Sequence, residues 1–270
     1  MKHINISLDT VVSKITNVLD LRSNNNLTKE KDIVALEEYM SIDTIKLEED
    51  LKFYKQLQQG YLELPQLKWN KQELLDLVGQ LDYENKWEIH KPYPHTFHRG
   101  NNFATATVNS VPETIKNQFA MQVFDSSGFA NIYPKSETPP HIDEGYDKSL
   151  NKNKSFIEDG RECAIFFPVY GDFKLAPTEL YKVMEDDKKE IGIDGLKPRD
   201  WSDEHLSNFS KYKISTITFE HPTLIRTKGN IWHGVNNVSD SMRITYQISF
   251  KSPYTFESIA QMIRMGLING

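Results

Sequence analysis

The sequence predicts a mainly β, antiparallel architecture with flanking helices, on three observations. The segment Arg243-Ile244-Thr245-Tyr246-Gln247-Ile248-Ser249-Phe250 alternates polar and apolar residues without a break, which is the period of a strand with two different faces. Further short apolar runs, Phe119 to Val123, Phe129 to Tyr133, Arg161 to Val169, Ile214 to Phe219 and Leu224 to Ile225, follow one another with turn residues between them. The first third instead places its apolar residues at helical spacing. Short antiparallel strands with helices held to one side roll up as a double-stranded β-helix, the jelly-roll or cupin-like barrel.

The elements follow in order. Thr28 caps a helix with Ile33, Leu36 and Met40 on one face, and Asp43 caps a second with Leu47, Leu51 and Tyr54 inward, ended by Gly60. Asn70 with Glu73 forms a capping box before Leu74, Leu77, Val78 and Leu81. Residues 1–92 are therefore read as a helical N-terminal extension that buttresses the core, and residues 93–270 as the β-helix domain. Between Tyr93 and Asn102, Pro92 and Pro94 oppose a helix, so His95 and His98 fall in a loop from which His98 or Arg99 can reach a substrate. Pro140 favours extended geometry just before His141. A polar loop runs from Glu144 to Lys154. Residues about 176–212 interrupt the strands as an insertion: Glu179, Leu180, Val183 and Met184 predict a short helix, and a second starts near Asp200-Trp201-Ser202. That insertion reads equally as a lid near the barrel mouth or as a solvated excursion. Gly229-Asn230 turns the chain into His233, and Ser252-Pro253 opens a closing helix with Phe256, Ile259 and Ile263 on one side.

Bulk properties bound the function. At 270 residues, 38% hydrophobic and 31.3 kDa, the chain can bury one substantial core. A net charge of −6 argues against the broad basic footprint of a nucleic-acid binder. The single cysteine, Cys163, excludes an internal disulfide, suits a reducing compartment, and sits among apolar neighbours as a buried, inert thiol. No window reaches transmembrane length. These features predict a soluble, cytoplasmic protein.

The chemistry concentrates in His141-Ile142-Asp143, in His233 ninety positions after Asp143 (233 − 143), and in Arg243 ten further on. Side chains two apart on an extended segment share a face about 7 Å apart along the strand, so His141 and Asp143 can converge on one ion. Two imidazoles and one carboxylate leave coordination positions open, which suits non-haem Fe(II) activating dioxygen. Either half alone is weak: a histidine and an aspartate two apart often only decorate a strand, and a histidine beside a tryptophan, here Trp232, is commonly a packing residue. The polar face Arg243, Thr245, Gln247, Ser249 meets either water or the barrel interior. In the second case the planar donor fork of Arg243 and the Thr245 hydroxyl hold a carboxylate.

His141-x-Asp143, His233 and Arg243-x-Thr245 together resemble the Fe(II)/2-oxoglutarate-dependent dioxygenases, whose signature is HxD, a distal His, and an Arg or Lys about ten residues later. Asn131-Ile132-Tyr133-Pro134 and the Arg161 to Pro168 strand are similar to segments flanking the HxD in that family. His233-Gly234-Val235-Asn236-Asn237, with Ser239 and Arg243, is similar to the H-x-V-x-N segment of aspartyl/asparaginyl hydroxylase-like and prolyl hydroxylase-like members. The resemblance covers roughly residues 119 to 250, and the N-terminal third resembles nothing we can name. It implies that His141, Asp143 and His233 bind Fe(II). It also implies that Arg243 with Thr245 holds the distal carboxylate of 2-oxoglutarate, with Tyr133 a further candidate for the same carboxylate. The implied reaction consumes O2, converts the keto acid to succinate and CO2, and hydroxylates a C–H bond of an amino-acid residue, in a peptide or free, or of a small molecule. Asp143 disfavours halogenation, because halogenating relatives replace that carboxylate with a small residue. It also departs from the aspartyl/asparaginyl hydroxylases, where the carboxylate is commonly missing. Two other readings of the same residues remain open at this stage: a jelly-roll binding module without turnover, and a zinc-dependent hydrolase. Arg99, Arg161 and Arg226 are candidates for a substrate carboxylate or ordinary paired charges.

Overall fold

The computed structural model describes residues 13, 16, 44–90, 103–108, 111–119, 126–143, 162–196, 201–250 and 254–267. The helix expected after Thr28, the loop carrying His95, His98 and Arg99, the Glu144 to Lys154 loop and Arg161 lie outside the described residues, as does most of the run from Phe119 to Val123. Contacts divide the chain into Met1–Leu62 and Glu63–Gly270, earlier than the change of sequence character near residue 92. In the first unit, helix α1 (Thr44–Gln58) closes at Gly60, whose φ of 81° is the left-handed conformation that a C-terminal turn requires. Strand β1 (Tyr61–Glu63) straddles the division.

In the second unit helix α2 (Lys71–Tyr83) starts where Asn70 predicts: the Asn70 side chain accepts from the backbone N–H groups of Gln72 and Glu73. Glu73 does not reach back to complete a box; its carboxylate accepts from the Thr114 hydroxyl at 2.6 Å. Leu74, Val78 and Leu81 are buried, and the helix packs against β6 (Cys163–Tyr170). The remaining strands are β2 (Glu88–His90), β3 (Phe103–Val108), β4 (Ser126–Ile132), β5 (Ser136–His141), β7 (Thr178–Lys182), β8 (Lys213–Ile217), β9 (Thr223–Arg226), β10 (Ile231–Asn237) and β11 (Arg243–Phe250). Short helices α3 (Glu113–Lys116), α4 (Glu185–Ile191) and α5 (Asp203–Phe209) interrupt them, and α6 (Phe256–Arg264) closes the chain.

Within this unit the large sheet runs β9-β6-β11-β4-β3-β2 and the small sheet β5-β10-β7-β8, and neighbours are antiparallel. From β4 onward the chain passes repeatedly between sheets, so that β9-β6-β11-β4 faces β5-β10-β7-β8. That is the strand order of a double-stranded β-helix, the fold the sequence predicts. All eight residues of β11 are buried. Its apolar face stacks Tyr246 against Phe129 and Phe167, with ring centroids 5.0 and 6.0 Å apart. Its polar face is turned toward the small sheet, because Arg243 reaches Thr178 on β7.

The segment 176–212 differs from its prediction. Thr178 to Lys182 is a strand of the small sheet, not a short helix. In the part that follows, Trp201 and Phe209 pack with Tyr181 and Trp232 on the outer face of that sheet, with Val183, Ile191 and Ile193 in the same cluster. Aromatic stacking across it, including Trp201 on Trp232 at 5.7 Å, buries what a free excursion would expose. Helix α6 is capped by Thr255, whose hydroxyl accepts from Ser258 N–H at 3.2 Å, and buries Phe256, Ile259 and Ile263. Cys163 is fully buried, and burial pushes its thiol well above the ordinary range. Among the described residues no helix is long and apolar enough to cross a membrane.

Gly171 follows β6 at φ 109°, and a Cβ there would meet the Met242 carbonyl oxygen at 2.4 Å. The turn can lie against the start of β11 only because this residue has no side chain. Gly171→Ala is expected to cost roughly 2–4 kcal/mol, combining backbone strain with overpacking. The urea midpoint reads this directly, and an unchanged midpoint would show that the two turns can separate freely.

Candidate metal centre and its anion anchor

His141 ends β5 and His233 lies directly opposite it on β10, so both rings leave the same face of the small sheet, with centroids 4.2 Å apart. The pairing is irregular between His233 and Val235, where β5 carries an extra residue. Gly234 makes room for it: a Cβ there would stand 3.0 Å from the Thr138 carbonyl oxygen and 3.1 Å from Pro140 N. Asp143 lies just past the strand and is fixed by its backbone N–H donating to the Thr227 carbonyl at 2.7 Å. Between the two donors Ile142 packs against the outer aromatic cluster, which turns His141 and Asp143 the other way. Trp232 belongs to that cluster as well, so it anchors the strand that carries His233.

The structure therefore brings His141, Asp143 and His233 together. One donor atom from each lies within 4.8 Å of the others. Asp143 Oδ1 is 3.8 Å from His141 Nε2 and 4.0 Å from His233 Nε2. Three donors about 2.1 Å from one ion and on one face of it lie about 3.0 Å apart, so the side chains would close on a metal by roughly 1–2 Å, on the order of a rotamer adjustment. His141 Nδ1 is 2.8 Å from the Pro139 carbonyl; as donor to that oxygen, the ring leaves the Nε2 lone pair free for an ion. Side-chain exposure rises from 9% at His233 to 21% at Asp143 and 31% at His141, so the centre opens to solvent on the His141 side.

Deeper in the barrel, Arg243 is 3% exposed. Its Nη2 donates to Thr178 Oγ1 at 2.7 Å, and its guanidinium carbon lies 5.2 Å from the ring centroid of Phe173 and 5.3 Å from that of Phe219. No carboxylate among the described residues pairs with it, and burial pulls its pKa down to about 9. Among the described residues, Arg243 Nε and the fully buried Thr245 Oγ1, on the same inward face, have no hydrogen-bond partner. Buried donors are rarely left this way. Both donors therefore stand available on the inward face, beside the two aromatic rings that pack against the guanidinium. Thr178 pairs with Val235, two residues beyond His233, which sets the anchor's row about 7 Å below the metal ligands. A five-carbon dicarboxylic acid spans a comparable gap.

Asn237, the last residue of His233-Gly234-Val235-Asn236-Asn237, organises the turn into Arg243. Its Nδ2 donates to the carbonyls of Tyr133 and Ser241 at 3.0 and 2.9 Å, and its Oδ1 accepts from Ser239 Oγ at 2.6 Å. Tyr133 is half-buried one residue past β4, and this backbone bond is the contact the structure gives it. Arg226 is committed elsewhere, since its Nη2 pairs with Glu257 and its guanidinium covers Phe256 at 4.9 Å, tying α6 to β9. Of the three unassigned arginines, it is therefore a structural charge. Sequence reasoning missed Thr178, Phe173 and Phe219. The alternation Thr178, Leu180 against Glu179, Tyr181 was the available signal for the first.

No protein-family model matches this chain, and no curated protein does. Solved structures resemble it in outline. A prolyl-4-hydroxylase from Pseudomonas putida has a TM-score of 0.42 and 10% identity over 71% of this chain and 92% of its own. The non-heme alpha-ketoglutarate-dependent epimerase SnoN from nogalamycin biosynthesis has a TM-score of 0.46 and 10% identity, covering 77% of this chain and 83% of that one. A prolyl hydroxylase in complex with a hypoxia inducible factor peptide fragment from Trichoplax adhaerens has a TM-score of 0.42 and 12% identity, with 78% and 94% covered.

Proposed function

We propose that this protein is an Fe(II)- and 2-oxoglutarate-dependent oxygenase that hydroxylates a C–H bond of an amino-acid residue or a small molecule. The observation that carries this reading is the pairing of a His-Asp-His donor set with a buried arginine that has no counter-ion among the described residues, one inward row apart. His141 Nε2, His233 Nε2 and an Asp143 oxygen would hold the iron, and the Pro139 carbonyl fixes the His141 tautomer. Arg243 and Thr245 would take the distal carboxylate of 2-oxoglutarate, with Tyr133 assigned to the same carboxylate on the resemblance alone. Bound iron with its keto acid supplies O2 activation and C–H oxidation, and the balance is one O2 and one 2-oxoglutarate for one C–OH, succinate and CO2. The chain's own contribution is position and dryness: Leu180 and Val235 are buried on the same inward face and limit water beside the reacting atoms. Residues 93–270 carry every residue assigned a role, and we assign residues 1–92 to support. A single buried thiol suits a reducing compartment such as the cytoplasm.

Anaerobic titration tests this. Fe(II) followed by 2-oxoglutarate is expected to produce the visible charge-transfer band of the chelate, and admitting O2 with a substrate panel is expected to release succinate. Tight zinc binding with no keto-acid binding would favour the hydrolase instead, and absence of any metal binding would leave a jelly-roll binding module.

A further inference from the structure

We propose that Thr178 is a positioning residue for the cosubstrate, holding the Arg243 guanidinium across the barrel so that its remaining edge faces the ligand carboxylate. The inference rests on the oxygenase reading and deepens it. Thr178 belongs to β7 in the small sheet and Arg243 to β11 in the large one, so their 2.7 Å hydrogen bond spans the two walls. It joins the sheet that carries His233 to the sheet that carries the anchor. The rings of Phe173 and Phe219 lie against the guanidinium but offer it no directional hydrogen bond. Thr178 supplies one, to Nη2. Thr178 is 4% exposed, and Arg243 Nε, the unpartnered donor, is left free by this arrangement. A carboxylate bound bidentately needs two donors in one fixed plane and orientation, which is what the hydroxyl secures.

The test compares two keto acids on the anaerobic Fe(II)-loaded protein by calorimetry: 2-oxoglutarate, which has the distal carboxylate, and pyruvate, which chelates but lacks it. Thr178→Val is expected to weaken 2-oxoglutarate roughly 10- to 100-fold, the loss of one hydrogen bond to a charged group. Pyruvate binding is expected to change by less than about 2-fold, because it never reaches the anchor. Thr178→Ser, which restores the hydroxyl, is expected to recover 2-oxoglutarate affinity. Should Thr178→Val fail to fold, Thr178→Ala against Thr178→Ser reads the same ratio. Equal weakening of both acids, or no recovery with serine, overturns the positioning role while the metal centre stands. A wild-type protein that binds pyruvate and 2-oxoglutarate equally removes the anchor and this inference with it. Failure of the wild type to bind either acid removes the oxygenase reading itself.

Discussion

His233→Ala is expected to lower Fe(II)-dependent turnover to below about a thousandth of wild type, well beyond the roughly 10- to 100-fold cost of losing an outer partner of a metal ligand. The reason is geometric. His233 is the most enclosed of the three donors, with its Nε2 4.0 Å from Asp143 Oδ1 and its ring beside His141. Its removal leaves one imidazole and one carboxylate on an ion that prefers three fixed ligands. His141→Ala is expected to behave alike, and both variants are expected to keep the fold, because the strands are held by the ladder and by Trp232 and Ile142 on the other face. Iron content after anaerobic loading and dialysis, read beside the unfolding midpoint, separates the outcomes. Wild-type metal affinity in both variants would defeat the ligand assignment.

Arg243→Met is expected to move stability and binding in opposite directions. In the free protein the buried guanidinium has one hydrogen bond, to Thr178, and no opposite charge among the described residues. An apolar chain of similar length removes the cost of burying that cation. A gain on the order of 1 kcal/mol or more in unfolding free energy is expected, since replacing buried charges by apolar groups is often stabilising. The same change leaves the distal carboxylate of 2-oxoglutarate with no partner, and affinity is expected to fall roughly 30- to 1,000-fold, as when one member of a buried charge pair is removed. Arg243→Lys is not expected to rescue it, because an ammonium lacks the flat fork of donors that packs against Phe173 and Phe219. A variant that is less stable without ligand would show that the guanidinium is a structural strut, not a waiting anchor.

What the sequence disclosed depended on how locally each signal was written. The β11 strand was legible because its two faces differ, Arg243 and Thr245 on one and Tyr246 and Ile248 on the other. The His141-x-Asp143 pair was legible because two residues suffice to state it. Strand β7 was not. It is covered on both sides, Leu180 inward and Tyr181 outward, so the two-residue alternation that marks a half-exposed strand is blurred. Leu180, Val183 and Met184 then coincide with helical spacing. Thr178 was hidden by that error, and its bond to Arg243 joins residues 65 positions apart, a distance across which only the folded ladder speaks. Asn70 shows the intermediate case: the cap was readable, but the partner of Glu73 depended on Thr114, forty-one residues away.

All three proposed metal ligands belong to one wall of the barrel or its extension, and the cationic residue belongs to the opposite wall. The gap between them is thus a caliper whose jaws are whole sheets, and Thr178 is the rung that sets its opening. Matching the anchor to a shorter or longer dicarboxylic keto acid would therefore mean resetting the separation of the sheets.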